Sequence, residues 1–329
     1  MKSFWRFLSG LFKVLVRGIF LLLGAIVLIG LASAVMSILD PDPVEPEDQP
    51  VHPTGLQPYS LPLTEADGTP SGVLNRLVWQ DYDRVTYSGR YGLSLAEKEA
   101  DTDFRETIME GGDGIGSFFA ARRTYGGLYP DNERALFWNW LYERTITRDS
   151  ARLPELIAIY DSILLTDKPS RQRFAEIVVS SIQHLDYVLV HPLSCEDYVA
   201  EDEDCSQFGC KWHQEGHACR PEVRYGVQTP LEFAYNLEGD CDTRVLLIML
   251  ILRQYGYDAR MAWSNFYGHA VLALPLPAPG KGFLRAEGKK YFLWETTAPD
   301  WQLGQIDAQY NNLDHWILMR RMPRIDQLL

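Results

Sequence analysis

The hydrophobic and polar positions of this chain fall into distinct regimes. From Gly18 to Leu39 the sequence GIFLLLGAIVLIGLASAVMSIL is uncharged for 22 residues, where about 20 suffice to cross a bilayer as a helix. Patterning then stops: residues 40–64 hold seven prolines, which predicts an extended, semi-stiff spacer. Beyond it, DRVTYSGRYGLS reads as a strand, and ERALFWNWLYERTI and LPELIAIYDSILL carry apolar residues at helical spacing. Trp79, Trp138 and Trp140 are expected in a core. A second unit opens with SRQRFAEIVVSSIQHLDYVLVHP, where Ser170 is a helix cap and Phe174, Ile177, Val178 and Ile182 share one face.

The most apolar stretch of this second unit is Val245 to Leu252, eight residues in a row. Asp240 stands at the position of an N-cap, Cys241 in the first turn and Gly256 just past the end, predicting a helix of about four turns. Being apolar on every side, it should be buried within the domain. ARMAWS, HAVLALPL and KKYFLWETT follow as strands, the second ended by Pro275, Pro277 and Pro279. The predicted organisation is a basic tail (1–17), a transmembrane anchor (18–39), a Pro-rich linker (40–64), a mixed, mostly helical region (65–168) and a second domain (169–329).

Charge gives the first segment an orientation. Lys2, Arg6, Lys13 and Arg17 precede it, no acidic residue occurs before Asp40, and no Lys or Arg follows until Arg76. The basic flank belongs in the cytoplasm, which places the body of the protein outside. A cleaved signal peptide competes, since Ala32 to Ala34 offers small residues at the required spacing, but the apolar run exceeds the roughly 7 to 15 residues of a signal's central region. The net charge of −13 argues against a nucleic-acid partner, which would need a basic surface.

Four of the five cysteines, Cys195, Cys205, Cys210 and Cys219, cluster in one acidic, loop-like stretch. In an oxidising compartment they form two disulfides, with three possible pairings. A zinc site on Cys210, His213, His217 and Cys219 is the rival reading, though the spacing fits no common zinc pattern. Glu196, Asp197, Glu201, Asp202, Glu203 and Asp204 lack the spacing of a calcium loop and read as a solvated acidic face.

Cys241 stands apart, between two aspartates in EGDCDTR. Those carboxylates should hold a proton on it by repulsion, whereas the amides and dipole of a helix N-terminus favour a thiolate. A nearby histidine can outweigh the aspartates, and His269 in YGHAVLAL is the candidate; Glu295 in FLWETT, on a neighbouring strand, is placed to orient its ring. On this reading the thiol titrates below the about 8.5 of a free cysteine.

In order along the chain, GDCDTR, GYDAR, GHAV and LWETT, with VQTPLEFAYNLEGDC upstream, resemble the transglutaminase-like superfamily of papain-like cysteine enzymes over about residues 169–300. The resemblance implies an α+β fold in which a buried, Cys-bearing helix packs on an antiparallel sheet. It also implies a triad acting by acyl transfer through a thioester, without a cofactor or metal. Cys241 would be the nucleophile, His269 the base and then acid, and Glu295 the orienter, with Glu where the family has Asp. Gln228 or Tyr235 is a candidate oxyanion donor beside the Cys241 amide. The expected protein is a bacterial inner-membrane peptidase or amidase with its catalytic domain outside the cytoplasm, acting on protein, peptide or cell-envelope amides. A non-catalytic interaction or assembly module on a membrane stalk is the alternative.

Overall fold

In the computed structural model, residues 57–129, 132–196, 212 and 215–323 are described. The chain opens as a three-stranded antiparallel sheet of β1 (Tyr59–Thr64), β2 (Pro70–Gln80) and β3 (Thr86–Ser94), in that spatial order. β1 lies within the stretch expected to be linker. Its Pro62 is tolerated because β1 is an edge strand, where a missing N–H costs no interior ladder bond. One face of β2 sends Val73, Asn75, Leu77 and Trp79 into the core, and Val78 on the other face is buried as well. The β2–β3 turn is held by Asp81, whose Oδ1 accepts from the amides of Asp83 and Val85.

Five helices follow. α1 (Leu95–Thr107) starts on a reciprocal capping box of Ser94 and Glu97, and α2 (Gly111–Tyr125) succeeds it. α3 (Glu133–Asp149) is capped by Asn132, and α4 (Pro154–Asp167) has proline in its first turn. α5 (Arg171–Gln183) is capped by Ser170, as its sequence predicts. Two short parallel pairs come next: β4 (Asp186–Tyr187) with β7 (Glu238–Gly239), and β5 (Leu189–Val190) with β6 (Cys219–Arg220). Between them lies α6 (Pro230–Asn236), with a capping box of Thr229 and Glu232.

α7 (Cys241–Gln254) is the centre of the molecule. Every residue from Thr243 to Leu252 is buried, because the helix packs on α3, α5, α6 and one face of a five-stranded antiparallel sheet. That sheet has the order β10 (Phe283–Ala286), β11 (Lys289–Trp294), β9 (His269–Leu274), β8 (Arg260–Ser264) and β12 (Ile317–Leu318). Gly256, at φ +73°, turns the chain out of α7 where a side chain would be strained. One hydrophobic cluster runs from Val73 through Trp140, Phe174 and Ile248 to Met322, so residues on both sides of 168/169 share a core.

One expectation of the fold needs correction. The described residues form a mixed α+β architecture of seven helices and several sheets, and none of their helices is long and apolar enough to cross a membrane. The two most apolar, α4 and α7, have 14 residues each, short of the about 20 required. The longest, α3, has 17 and carries charges in its first and last turns. Residues 18–39 and the basic tail lie outside the described residues.

A disulfide joins Cys195 to Cys219 across a Cα–Cα distance of 6.3 Å, tying the segment after β5 to β6. It removes Cys219 from any zinc site, and among the described residues no group of His, Cys, Asp or Glu could hold a metal ion. Cys205, Cys210 and His213 lie outside the described residues, as does most of the acidic loop.

Candidate active site

The N-terminus of α7 presents Cys241 to the start of β9. Its thiol lies beside the Ala270 backbone N–H, which donates toward the sulfur, so the cysteine meets the strand one residue from His269. His269, 8% exposed, holds Glu295 through Nε2, 2.8 Å from Oε2, which leaves Nδ1 as the ring's other nitrogen. Cys241, His269 and Glu295 are therefore gathered at one end of the sheet.

The glutamate is not directly across from the histidine. β9 and β11 pair Leu272 with Trp294, and continuing that register sets Thr297 opposite His269 and Glu295 on the diagonal. Diagonal neighbours are about 7–8 Å apart at the backbone, and the extra methylene of Glu over Asp helps to span that gap. Its second oxygen is fixed as firmly as the first: Oε1 accepts from the amides of Thr296 (2.8 Å) and Thr297 (3.1 Å) and from the Thr297 hydroxyl (2.8 Å). Burial alone would raise this carboxyl, but His269 and Thr297 pull it down to about 2.

Around the cysteine the electrostatics run the other way. Burial first, then Asp242 and Asp240, push the Cys241 thiol well above its usual value, and the Ala270 N–H offsets only part of this. The direction is opposite to the low-titrating thiolate expected from the sequence: burial leads, and the aspartates add to it because of where they point. Asp240 occupies the N-cap position of α7 but makes no side-chain cap; its Oδ2 accepts instead from the Val190 amide at 3.3 Å. Asp242 is not a solvated first-turn acid: its Oδ2 accepts from the Tyr142 hydroxyl at 2.8 Å. The two carboxyls are hydrogen-bonded to each other, and burial and mutual repulsion raise Asp240 well above the usual range.

Arg244 and Gln183 were not foreseen, yet they hold the site together. The guanidinium of Arg244, fully buried, donates to the carbonyls of Gly239 (3.0 Å), Ile182 (2.9 Å), Leu185 (2.6 Å) and Thr296 (3.3 Å). It thus ties the cysteine turn to the end of α5 and to the residue after Glu295. Burial draws it down to about 10, so it remains a cation at neutral pH. Gln183 Nε2 donates to the Glu295 carbonyl at 2.7 Å and its Oε1 accepts from the Tyr82 hydroxyl at 2.9 Å. A buried arginine four residues into an apolar helix was the signal in the sequence.

Of the two side chains named as oxyanion donors, Gln228 sits against the cysteine turn, its backbone N–H donating to Thr243 Oγ1 at 3.3 Å. Gln228 donates through Nε2 to the Glu238 carbonyl at 2.9 Å and accepts from Asn236, bracing β7. Tyr235 has Glu99 of α1 as its charged neighbour, and its carbonyl accepts from Asn75. Tyr310 was not foreseen: its ring lies 4.7 Å from that of His269, with Trp316 at 6.1 Å.

Such an arrangement suits proton transfer between a neutral thiol and an imidazole held by a carboxylate. Compared with protein-family models, curated proteins and solved structures, the chain gives no match.

Proposed function

We propose that the protein is a cysteine enzyme of transglutaminase-like type that cleaves amide bonds through a thioester on Cys241. The observation that carries the reading is the 2.8 Å bond from His269 Nε2 to a fully anchored Glu295. It supports a triad reading because the carboxylate-held ring belongs to the residue next to Ala270, whose amide meets the helix-borne thiol.

With the thiol protonated at rest, attack and deprotonation go together. Cys241 Sγ adds to the amide carbonyl carbon as its proton passes to His269, and Glu295 stabilises the imidazolium. The backbone amide of Cys241, at the first helical position, faces the developing oxyanion. The C–N bond then breaks as His269 returns the proton to the leaving amine. Water, deprotonated by His269, adds to the thioester and releases the acid and the thiol; an amine in place of water gives transfer. The substrates are protein, peptide or cell-envelope amides, and the Cys195–Cys219 disulfide supports an oxidising, extracytoplasmic compartment.

The second reading, a non-catalytic assembly module, is favoured by the raised titration of Cys241. Intact mass spectrometry after incubation with a peptide-amide library separates the two. The catalytic reading expects a covalent acyl adduct on Cys241 that hydroxylamine removes, together with new cleaved peptides, both absent in Cys241→Ala. Unmodified protein and intact peptides across the library would favour the module.

A further inference from the structure

Resting on that reading of Cys241, the geometry points to Phe266, Tyr267, Tyr310 and His315 as an aromatic ledge that receives a large apolar side chain of the amide substrate. Two separate stretches build it: the turn between β8 and β9, and the segment before β12. Phe266 is 70% exposed and lies flat on the His315 ring at 4.0 Å and 13°. Tyr267 packs edge-on against Tyr310 at 5.4 Å and against His315 at 5.5 Å. Tyr310 continues the row to His269, 4.7 Å away. The rings therefore run without a break from solvent to the imidazole that would take the thiol proton.

Phe266 contributes little to the core, and the outer part of its ring is open to a substrate entering beside the candidate site. Phe266 is the ring most open to solvent, while Tyr267, Tyr310 and His315 are half-buried, so the ledge offers apolar ring surface that leads toward His269. Part of the polar complement beside it is already engaged: Ser264 Oγ accepts from the Tyr267 amide, Asp307 Oδ1 from Gln309, Asn312 Oδ1 from Asp314, and the Tyr310 carbonyl from the Trp316 indole. An aromatic or branched side chain beside the scissile amide needs only that apolar surface. The ledge is supported from below by Trp316, which is buried and packs 5.7 Å from Tyr267, so it is preformed.

The test compares alkylation of Cys241 in the full chain by two chloromethyl ketones, N-acetyl-phenylalanyl and N-acetyl-glycyl, with iodoacetamide as the baseline for each variant. The phenylalanyl reagent is expected to react about tenfold faster than the glycyl one after baseline correction, and Phe266→Ala to bring that ratio close to one, with Phe266→Leu retaining part of it. A ratio near one in the native protein, or one that Phe266→Ala leaves intact, overturns the inference. So does protection of Cys241 by N-acetylglucosamine oligomers without a phenylalanyl preference, which would make the ledge a carbohydrate surface. These outcomes leave the catalytic reading standing so long as His269→Ala slows the iodoacetamide reaction; if it does not, that reading fails, whatever the ratio.

Discussion

Residues 65–168 carry no motif, and residues 169–323 carry all of them, yet the first region supplies much of the second's rigidity. Asn75 and the Tyr91 hydroxyl both donate to the Ala234 carbonyl (2.7 and 2.6 Å), holding the end of α6 against β2 and β3. Arg105 of α1 grips Glu232 through two bonds (2.9 and 3.1 Å). Asp101 receives Arg148, Arg152 and the Thr229 hydroxyl, and Asp149 receives the Leu231 amide at 2.9 Å. α6 and the cysteine turn after it are thus clamped by buried polar groups from α1 and α3. The lesson is that residues which look like chemistry depend for their geometry on residues that look like filler.

The largest expected effect comes from breaking this clamp far from the thiol. Arg105→Met leaves the buried Glu232 without its counter-ion, which should cost about 3–5 kcal/mol in urea unfolding. Because the two regions share a core, the loss should show as one transition at a lower midpoint rather than two. Removing the disulfide, which lies wholly within the motif-bearing region, should cost less. Cys195→Ser with Cys219→Ser opens a span of 24 residues, worth about 3 kcal/mol in the chain-entropy picture.

The site residues have pH signatures of opposite sign. Glu295, held down to about 2 from 4.5, contributes stability that is fully present above 4.5 and lost as pH falls through 2. Glu295→Gln should flatten that acid limb of thermal stability. Asp240, raised well above its usual 3.8, contributes stability present below 3.8 and lost as pH rises through its raised value. Asp240→Asn should therefore gain relative stability toward neutral pH.

The smallest effect links the two regions most directly. Tyr142 of α3 stabilises the charged form of Asp242 by donating to it. Tyr142→Phe should cost only about 1 kcal/mol of stability. By making Asp242 easier to protonate it should also lower the pH at which Cys241 becomes alkylated. An unchanged midpoint would detach the thiol's environment from the N-terminal region.

The sequence made α3, α4, α5 and α7 and three of the large sheet's strands, β8, β9 and β11, legible wherever apolar period and caps agreed, as with Ser170 and Gly256, but not β10 or β12. α2 was hidden because GGDGIGSFF is rich in the residue least suited to helices; one of its glycines explains itself, since a Cβ at Gly114 would lie 2.0 Å from the Ile108 carbonyl oxygen. β1 was hidden by its prolines. Of the site, Cys241, His269 and Glu295 were readable from their order along the chain. The roles of Arg244, Gln183, Tyr142 and Tyr310 were not, because each depends on contacts between residues 41 or more positions apart. Asp240, read as the cap of α7, was misplaced for a similar reason, and the direction of Asp242 was not legible: their partners, Val190 and Tyr142, lie on other elements.

The central claim is that Cys241 reacts through His269 despite the carboxylates around it. The rate of iodoacetamide modification of Cys241 against pH tests it directly, in the native protein, His269→Ala and Asp242→Asn. The account predicts a native midpoint above the about 8.5 of a free thiol, a slower reaction and a higher midpoint in His269→Ala, and a lower midpoint in Asp242→Asn. A cysteine that reacts only after denaturation, or whose profile is the same in the native protein and His269→Ala, would contradict it.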